Sequence, residues 1–355
     1  MPVTATNTSR KMDSRVMPRY EPSPFSDPVA VDAWDSWFRW RDGSRLYDLS
    51  IEATWLRVAR TLAAVETSAS ARWVQRFVDA QAGWQLLFDE KILATAGTDR
   101  PEWPQEPVAV LNAVRFVSTP FTREAKFDFT AFERVAELAV RGLDNALLAQ
   151  ADGRNPRCGI RVGIIGLGDA LLMLGQDYAS VEARILGGAI ARTLAEGCLR
   201  SSLALARARG ACADARTLIE INHTRHLPAD LLTGIESGLR HSALTAITSQ
   251  HRLALLANHV SDALNPIVDA GVTHPRSPGY ALAQAQRYAA EDSNRRLLGN
   301  TQAQTSMNAQ LSMRHAMQPW IDAPIDYPLQ RTQVRAAGLI KPLSDTQKHG
   351  KFVPS

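Results

Sequence analysis

The stretch from Arg157 to Pro266 constrains the fold of this chain more than any other part. A short apolar run leads into the glycine-rich block Gly163–Gly175, and a long Ala/Arg-rich run follows, for which we predict a helix from Ser180 to Arg209. A second apolar run, Ala243–Ile247, has the composition of a strand. These signals predict a strand, a glycine-rich turn, a long helix and a second strand in this order.

Composition and charge argue against several classes of protein. The 355 residues are 45% hydrophobic and 21% charged, which is typical of a soluble globular protein. No run of about 18 apolar residues occurs, so we predict no transmembrane helix. The basic first part of the chain lacks the apolar core of a secretory signal. The net charge of +4 does not by itself indicate nucleic-acid binding, and three cysteines indicate a reducing compartment, so we expect a cytoplasmic protein.

The pattern of the first hundred residues predicts helices. Trp34, Trp37, Phe38 and Arg41 recur at helical spacing. A second helix is predicted to start after Ser50, with an acidic residue in its first turn. Its apolar face is formed by Trp55, Val58, Leu62 and Val65.

Shifts in composition divide the chain into five parts. Both ends are polar, and we expect them to be disordered. Between them we expect a helical segment, a proline-rich linker and an α/β region. The predicted boundaries are 1–24 for the N-terminal tail, 25–100 for the helical segment, 101–107 for the linker, 108–340 for the α/β region and 341–355 for the C-terminal tail.

Three blocks in the second half of the chain carry a resemblance to one enzyme family. They are the glycine-rich block Gly163–Gly175, the end of the helical run at Leu205–Gly210, and the pair Gly238–Ile247 and Asn258–Pro266. In that order and at that spacing, they resemble the C-terminal half of the large catalytic chain of adenosylcobalamin-dependent ribonucleotide reductases. Other parts similar to the same family are Ser50–Glu66, Lys91–Thr98, Val114–Phe121, Ala139–Asn145 and Met307–Asp322.

The resemblance implies part of a ten-stranded α/β barrel. In a full-length relative, several hundred residues separate the blocks that lie on either side of Pro101–Pro107 here. The resemblance therefore implies a helix-rich α/β fold, in which a half barrel is preceded by an N-terminal helical segment. Strands near Val110–Phe116 and Ala243–Ile247 would then lack neighbours, and helices such as Ala183–Leu205 would expose apolar faces. For this reason we expect that the chain is not a stable monomer. Self-association is our first expectation; the alternatives are capture by a full-length reductase chain and closure of the gap by the N-terminal helices.

The family's chemistry requires cysteines at defined places. The resemblance implies a loop cysteine that becomes a thiyl radical, two further cysteines that supply electrons, and adenosylcobalamin as the radical generator. No cysteine occurs between Met1 and Arg157. Cys158 precedes the glycine-rich turn, Cys198 is in mid-helix and Cys212 follows the helix end. We therefore predict no catalytic residue and expect no cofactor.

The turn that binds substrate phosphate in the family is altered in this chain. Relatives carry Pro-Thr-Gly-Thr after the strand that corresponds to Ala243–Ile247, whereas this chain has Thr248–Leu253 without a glycine. Further on, Ala263–Pro266 replaces the family's Gly-Ile-Glu-Pro and loses a carboxylate. Decay of the site is the simpler interpretation. The candidates for an altered phosphate site are Thr248, Ser249, His251 and Arg252.

Two other motifs suggest different chemistry. The block from Gly166 to Leu171 approaches a dinucleotide-binding fingerprint, but it lacks the third glycine, and we expect no second strand with an acidic end. A tight turn that opens a packed helix is preferred. Glu220, His223 and His226 have a spacing that suggests a metal site, but their positions drift around a helix, so we favour a surface loop and predict no metal ligands.

These observations predict a ribonucleotide reductase family protein, similar to the ribonucleoside-diphosphate reductases of deoxyribonucleotide synthesis, that is catalytically inactive on its own. The alternative is a nucleotide-phosphate-binding or regulatory module that partners a full-length reductase, and a gene remnant is a third interpretation. Expected partners are a second copy of the chain, a full-length reductase chain or a nucleotide. We expect neither nucleic acid nor a membrane as a partner.

Overall fold

The computed structural model describes most of the chain between Pro24 and Leu329. The predicted N-terminal tail (apart from Pro24) and the predicted C-terminal tail lie outside the described residues. Within the part of the chain that the structure describes, no helix combines the length and apolar character required to cross a membrane. The described residues are 24–150, 158–212, 215–267, 279–281, 283–284 and 307–329.

The N-terminal segment contains α-helices and three short strands. Its four α-helices are α1 (Pro28–Ala33), α2 (Ile51–Ala63), α3 (Ser70–Ala82) and α4 (Glu90–Thr95). The α2 helix begins directly after Ser50, where the capping pattern places it. No helix or strand is present between α4 and Val108, in the region predicted as a proline-rich linker.

The helix predicted through Trp34 and Arg41 is only partly correct. A short π-helical turn covers Trp34–Phe38, and the backbone becomes extended at Arg39. Arg41 then starts a small hairpin, formed by β1 (Arg41–Asp42) and β2 (Arg45–Leu46). The indole of Trp40 stacks on the ring of Tyr47 with centroids 4.2 Å apart. This cross-strand aromatic pair favours the hairpin over a continued helix.

A four-stranded sheet lies at the centre of the described structure. Its order is β3 (Leu86–Phe88), β4 (Val108–Asn112), β7 (Gly159–Ile165) and β8 (Ala243–Thr245). The pairs β4–β7 and β7–β8 are parallel, whereas β3–β4 is antiparallel. The sheet is open rather than closed into a barrel, so the expected half barrel is only loosely consistent with it. A second small hairpin joins β5 (Val117–Ser118) to β6 (Lys126–Phe127).

Two long helices pack on the sheet and on each other. They are α5 (Phe129–Gln150) and α7 (Val181–Arg209), and the latter has nearly the predicted bounds. The hydroxyl of Ser180 caps α7 by accepting a hydrogen bond from the Ala183 N–H at 3.0 Å. A Cβ at Gly197 would lie 2.8 Å from the carbonyl oxygen of Glu133, so glycine permits the close approach of α7 to α5. The remaining helices are α6 (Leu167–Met173), α8 (Arg216–His223), α9 (Ala229–Glu236), α10 (His251–Leu256) and α11 (Met307–Met317).

The strands expected to lack neighbours have them. The strand around Val110 ends at Asn112, and it lies between β7 and β3, which the N-terminal segment supplies. On the other side of the sheet, the carboxylate of Asp322 contacts the outer edge of β8. The face of α7 that packs on the core is buried. The large apolar side chains that this helix exposes are Val181 (55%) and Ile185 (67%). Self-association was expected above because these strands would lack neighbours. That argument is wrong for β4, which is paired on both sides.

A buried ion-pair network holds the N-terminal segment against α5 and α7. Glu66, between α2 and α3, accepts two hydrogen bonds of 2.7 Å from Arg141 and one of 2.8 Å from Asn145. Arg209 at the end of α7 contacts the same carboxylate at 2.9 Å. Burial opposes ionisation of Glu66, but the hydrogen bonds from Arg141 and Asn145 outweigh it and lower the pKa of this carboxyl. One continuous core, which includes Phe77 and residues of α5, runs through both parts.

Candidate functional site

The edge of the sheet where the three parallel strands end, called the carboxyl edge below, collects the polar residues that the sequence analysis singled out. Side chains that follow parallel strands meet at this edge, which is where α/β folds generally bind ligands. Asn112 ends β4 and is 2% exposed, and among the described residues its Oδ1 has no hydrogen-bond partner. The turn Thr248–Gln250 follows β8. The loop Asn258–Asp262 packs beside it.

The turn after β8 is already bound to a carboxylate of the chain itself. The hydroxyl of Ser249 donates to Asp262 Oδ2 at 2.5 Å, and the N–H of Gln250 donates to Asp262 Oδ1 at 2.6 Å. The side-chain amide of Gln250 donates to Thr248 Oγ1 at 3.0 Å. Donors of this kind could hold a phosphate oxygen, but here Asp262 occupies them. The sequence analysis did not identify Asp262, because its partners are 12 and 13 positions away and no spacing rule connects them.

The two basic candidates point away from this contact. His251 and Arg252 begin the short helix α10, and both side chains are exposed. Arg252 Nη1 forms an ion pair with Glu90 Oε2 at 3.1 Å, and its guanidinium lies 5.0 Å from the ring centroid of Trp37. Of the four candidates, Ser249 therefore binds Asp262, Thr248 contacts the neighbouring Gln250, and Arg252 binds the N-terminal segment.

The glycine-rich turn after β7 is closed by the chain's own backbone. Gly166 has a left-handed φ of 74°, and its N–H donates to the carbonyl of Ser261 at 2.7 Å. A Cβ at Gly168 would lie 2.5 Å from the carbonyl oxygen of Asn265. The close approach that these glycines allow is thus made by the loop around residue 265, in the space where a dinucleotide would place its pyrophosphate. The parallel strand that follows this turn and pairs with β7 is β8, and it ends in Thr245 rather than an acidic residue, in agreement with the expectation above.

A buried carboxylate, Asp169 in the first turn of α6, ties these loops together. It accepts hydrogen bonds from the N–H groups of Ser261 (2.5 Å) and Ala281 (2.9 Å). Burial raises the pKa of this carboxyl above its usual value. Asn258 and His259 both have left-handed φ angles, 64° and 61°. Their strained backbone is held by these contacts and gives the loop one fixed shape.

The N-terminal residues reach the same edge. The N–H of Ser26 donates to Asn258 Oδ1 at 2.7 Å. Asp27 Oδ2 lies 3.7 Å from His259 Nδ1, and both side chains are nearly buried. The carboxyl edge is therefore covered by the N-terminal segment.

The three cysteines lie away from the carboxyl edge, and all three are among the described residues. Cys158 immediately precedes β7, and its carbonyl accepts the N–H of Ser242 at 3.0 Å. Cys212 donates its N–H to the carbonyl of Leu239 at 2.8 Å, before β8 begins. Both therefore lie at the opposite edge, where the parallel strands start. Cys198 is fully buried in α7, and burial raises the pKa of its thiol well above the ordinary value.

A Ser–His–Asp arrangement that the sequence did not suggest lies at that opposite edge. Ser202 Oγ is 3.0 Å from His241 Nδ1, and His241 Nε2 is 3.3 Å from Asp144 Oδ1. Arg240 and Arg209 also bind Asp144. Burial lowers the pKa of His241, so the ring is neutral, whereas His241 and Arg240 together overcome burial and lower the pKa of Asp144. The serine and the histidine are 0% exposed, so no substrate reaches them, and the arrangement is structural.

The metal-like spacing brings no ligands together. Glu220 Oε1 lies 3.4 Å from Arg216 on the exposed face of α8. His226 lies beyond the end of that helix, and its carbonyl accepts a hydrogen bond from Arg192 at 3.4 Å. Across the described ranges, no group of three or more His, Cys, Asp or Glu side chains is arranged to hold a metal ion.

The fold and this edge define an α/β protein in which helices connect parallel strands and polar turns follow these strands at the carboxyl edge. Comparison with known proteins agrees with this class. Residues 107–318 match the family described as "Ribonucleotide reductase, barrel domain". Because this match covers more than half of the chain, the chain belongs to the ribonucleotide reductase family.

Individual relatives cover a smaller part. The chain is 31% identical over 110 residues to proteins named "Ribonucleoside-diphosphate reductase large subunit" in Vaccinia virus (strain Copenhagen), Variola virus and Monkeypox virus. The alignment covers 29% of this chain and 14% of each viral protein. The resemblance to the reductases is therefore confirmed at the level of the family, and the adenosylcobalamin class is not established by these matches.

Proposed function

We propose that this chain is a ribonucleotide reductase relative that does not reduce ribonucleotides by itself. The observation that carries the proposal is the placement of the three thiols. A thiyl radical must form within reach of the ribose, next to the edge that holds the substrate phosphate, whereas Cys158 and Cys212 lie at the opposite edge and Cys198 is sealed inside α7. A buried thiol with a raised pKa is also a poor redox partner.

Adenosylcobalamin, the cofactor of the class that the sequence resembles, does not fit the described residues. It would supply the radical that is passed to a cysteine. The residues at the carboxyl edge are hydroxyl, carboxylate, amide and imidazole groups, and the described part of that edge contains no thiol to receive the radical. We therefore propose neither this cofactor nor a radical step for the chain alone.

The test is a reduction assay on the purified 355-residue chain with adenosylcobalamin and a dithiol. We expect no deoxyribonucleotide from any of the four common ribonucleotides above a control without protein. Turnover that disappears in Cys158→Ser would contradict the proposal and would place the active site at the other edge. Cys198→Ser serves as the matched control, because that thiol is buried and replacing it should not change turnover.

A nucleotide-binding role is the second candidate, supported by the contact of Asp262 with the turn after β8. The contact shows that the Ser249 hydroxyl and the Gln250 N–H are arranged to hold an oxyanion. A nucleoside diphosphate would have to displace the carboxylate, so we expect no tight binding to the wild type.

Calorimetry with a nucleoside diphosphate distinguishes these outcomes. Asp262→Asn removes the competing charge and should strengthen binding, and the gain should decrease with added salt. Arg252→Ala in that background should weaken binding if the arginine turns toward the phosphate. Equal or absent heat in the wild type and both variants would leave the turn with a structural role only.

As a partner we propose a second copy of the chain, joined through α7 and α11. Val181 and Ile185 on α7 and Met307 and Leu311 on α11 are exposed apolar side chains. The two helices lie side by side, since a Cβ at Gly187 would contact Met313 Sδ at 2.6 Å. The exposed pairs, four residues apart on each helix, form a stripe suited to helix packing.

Analytical ultracentrifugation at micromolar concentration tests this association. We expect a concentration-dependent dimer in the wild type and a shift to monomer in Ile185→Glu. Glu182→Gln, one turn away on an exposed polar position, is the control. A single monomeric species that unfolds cooperatively would contradict self-association and would leave a full-length reductase chain as the partner to test.

A further inference from the structure

The outer edge of β8 is covered by the segment around Asp322, at the far end of the described structure. Asp322 Oδ2 accepts hydrogen bonds from the N–H groups of Leu244 (3.1 Å) and Thr245 (2.9 Å). The N–H of Asp322 donates to Thr245 Oγ1 at 2.9 Å, and the N–H of Ala323 donates to the Thr245 carbonyl at 3.2 Å. Consecutive N–H groups of a regular strand point to opposite sides, so this double contact depends on the irregular register between β8 and β7.

The carboxylate is fixed by a buried arginine. Arg225 Nη1 contacts Asp322 Oδ1 at 3.0 Å, and the two side chains are 5% and 8% exposed. The same guanidinium donates to the Pro319 carbonyl at 2.9 Å and to Asn222 Oδ1 at 2.9 Å. Asp322 is therefore held in place by α8 as well as by its own segment, and its charge is neutralised where it meets the strand.

We propose that Asp322 prevents β8 from pairing with β8 of a second copy of this chain. An uncovered strand edge with free N–H donors is a template for strand addition. The segment Ala243–Ile247 carries no charge and no proline, which is the composition that pairs readily with an identical segment. The carboxylate uses both outward N–H groups and offers no donor in return, so no further strand can bind there. This inference concerns β8 and is independent of the α7–α11 surface.

Three variants distinguish the contact of Asp322 with β8 from its ion pair with Arg225. Arg225→Met removes the buried charge partner and leaves the carboxylate on β8. Arg225→Met with Asp322→Asn keeps an acceptor oxygen of the same shape. Arg225→Met with Asp322→Ala removes the acceptor that binds the Leu244 and Thr245 N–H groups and keeps the backbone donors of residues 322 and 323, while no buried charge is left unpaired.

Sedimentation velocity measures the association of these proteins, and circular dichroism melts compare their folding. We expect the Asn double variant to sediment like Arg225→Met, and the Ala double variant to associate about tenfold or more tightly, because freed N–H groups gain interstrand hydrogen bonds. Adding Thr245→Pro, which removes one of these donors, should reverse the gain. The proposal would be overturned if a folded Ala double variant sediments like Arg225→Met, or if its gain in association persists with Thr245→Pro.

Hydrogen exchange on the wild-type protein gives a second reading that requires no variant. The amides of Leu244 and Thr245 should be protected as well as that of Ala246, which donates to the Val162 carbonyl at 3.1 Å on the inner side. Exchange of the first two at the rate of open amides would show that Asp322 does not close the edge, and the proposal would be wrong.

Discussion

The contact between Glu66 and the long helices offers the most direct test of how this chain compensates for an open sheet. Replacing Glu66 with Gln keeps the size of the side chain and removes its charge. Arg141 then loses its bidentate carboxylate, and Arg209 retains its contacts with Asp144 and Asn145. Glu66 is 4% exposed, whereas Arg141 and Arg209 are 25% and 16% exposed.

The expected loss follows from these exposures. Removing one partner of a fully buried pair costs about 3–5 kcal/mol of unfolding free energy. Partial access of water to Arg141 reduces this cost, so we expect a loss of about 2–3 kcal/mol. For a chain of this size, that loss corresponds to a decrease in Tm of about 3–4 °C. The N-terminal segment should loosen first, because Glu66 is its ionic link to α5 and α7.

Urea unfolding followed by circular dichroism measures this loss, and limited proteolysis locates it. The matched control is Glu52→Gln, the same exchange at an exposed position in the first turn of α2, where we expect less than about 1 kcal/mol. If the two variants lose equal stability, or if cleavage appears first in α7, the network does not hold the N-terminal segment and the reasoning fails.

Two further predictions concern the opposite edge and the centre of the sheet. The pKa of His241 is lowered from its ordinary value of 6.5, so near that pH the unfolded chain binds more protons than the folded chain, and stability should fall as the pH decreases through about 6.5. The decrease should be at most about 1.4 kcal/mol per pH unit. His241→Gln should flatten this slope in denaturant titrations, and an unchanged slope would count against a buried neutral ring. Gly163→Ala should cost about 1–3 kcal/mol, because its Cβ would lie 2.7 Å from the Ala246 carbonyl oxygen, whereas Gly159→Ala on the same strand meets its nearest atom at 3.5 Å and should be tolerated; equal thermal stability of the two would contradict this account.

The sequence predicted much of the fold because the signals that define single elements are local. The helix predicted from Ser180 to Arg209 is observed as α7 with Ser180 as its cap, and the glycine-rich turn opens a packed helix as expected. Periodicity was misleading where a local contact competed with it. Trp40 pairs with Tyr47 across a hairpin, so the pattern through Arg41 ends as a strand rather than a helix.

The candidate site could be predicted only in part. Thr248 and Ser249 do lie at the carboxyl edge, because a turn after a parallel strand must be there. The residue that binds this turn, Asp262, could not be found by any spacing rule, since its role depends on how the loop folds back. Arg252 was a reasonable phosphate ligand by charge, yet its partner is Glu90, which is 162 positions away.

By itself, the sequence determined the long helix α7, the glycine-rich turn that opens a packed helix, the family and the scarcity of thiols, because each of these is a property of composition or of neighbours within a few turns. Only the tertiary structure decided how the open sheet is completed: Leu86–Phe88 pairs with β4, Glu66 joins the N-terminal segment to α5 and α7, and Asp322 closes β8. These contacts join groups that are distant in the chain. They form because buried N–H groups and charges must find a partner once water is excluded, and only the folded chain determines which groups are near enough to serve.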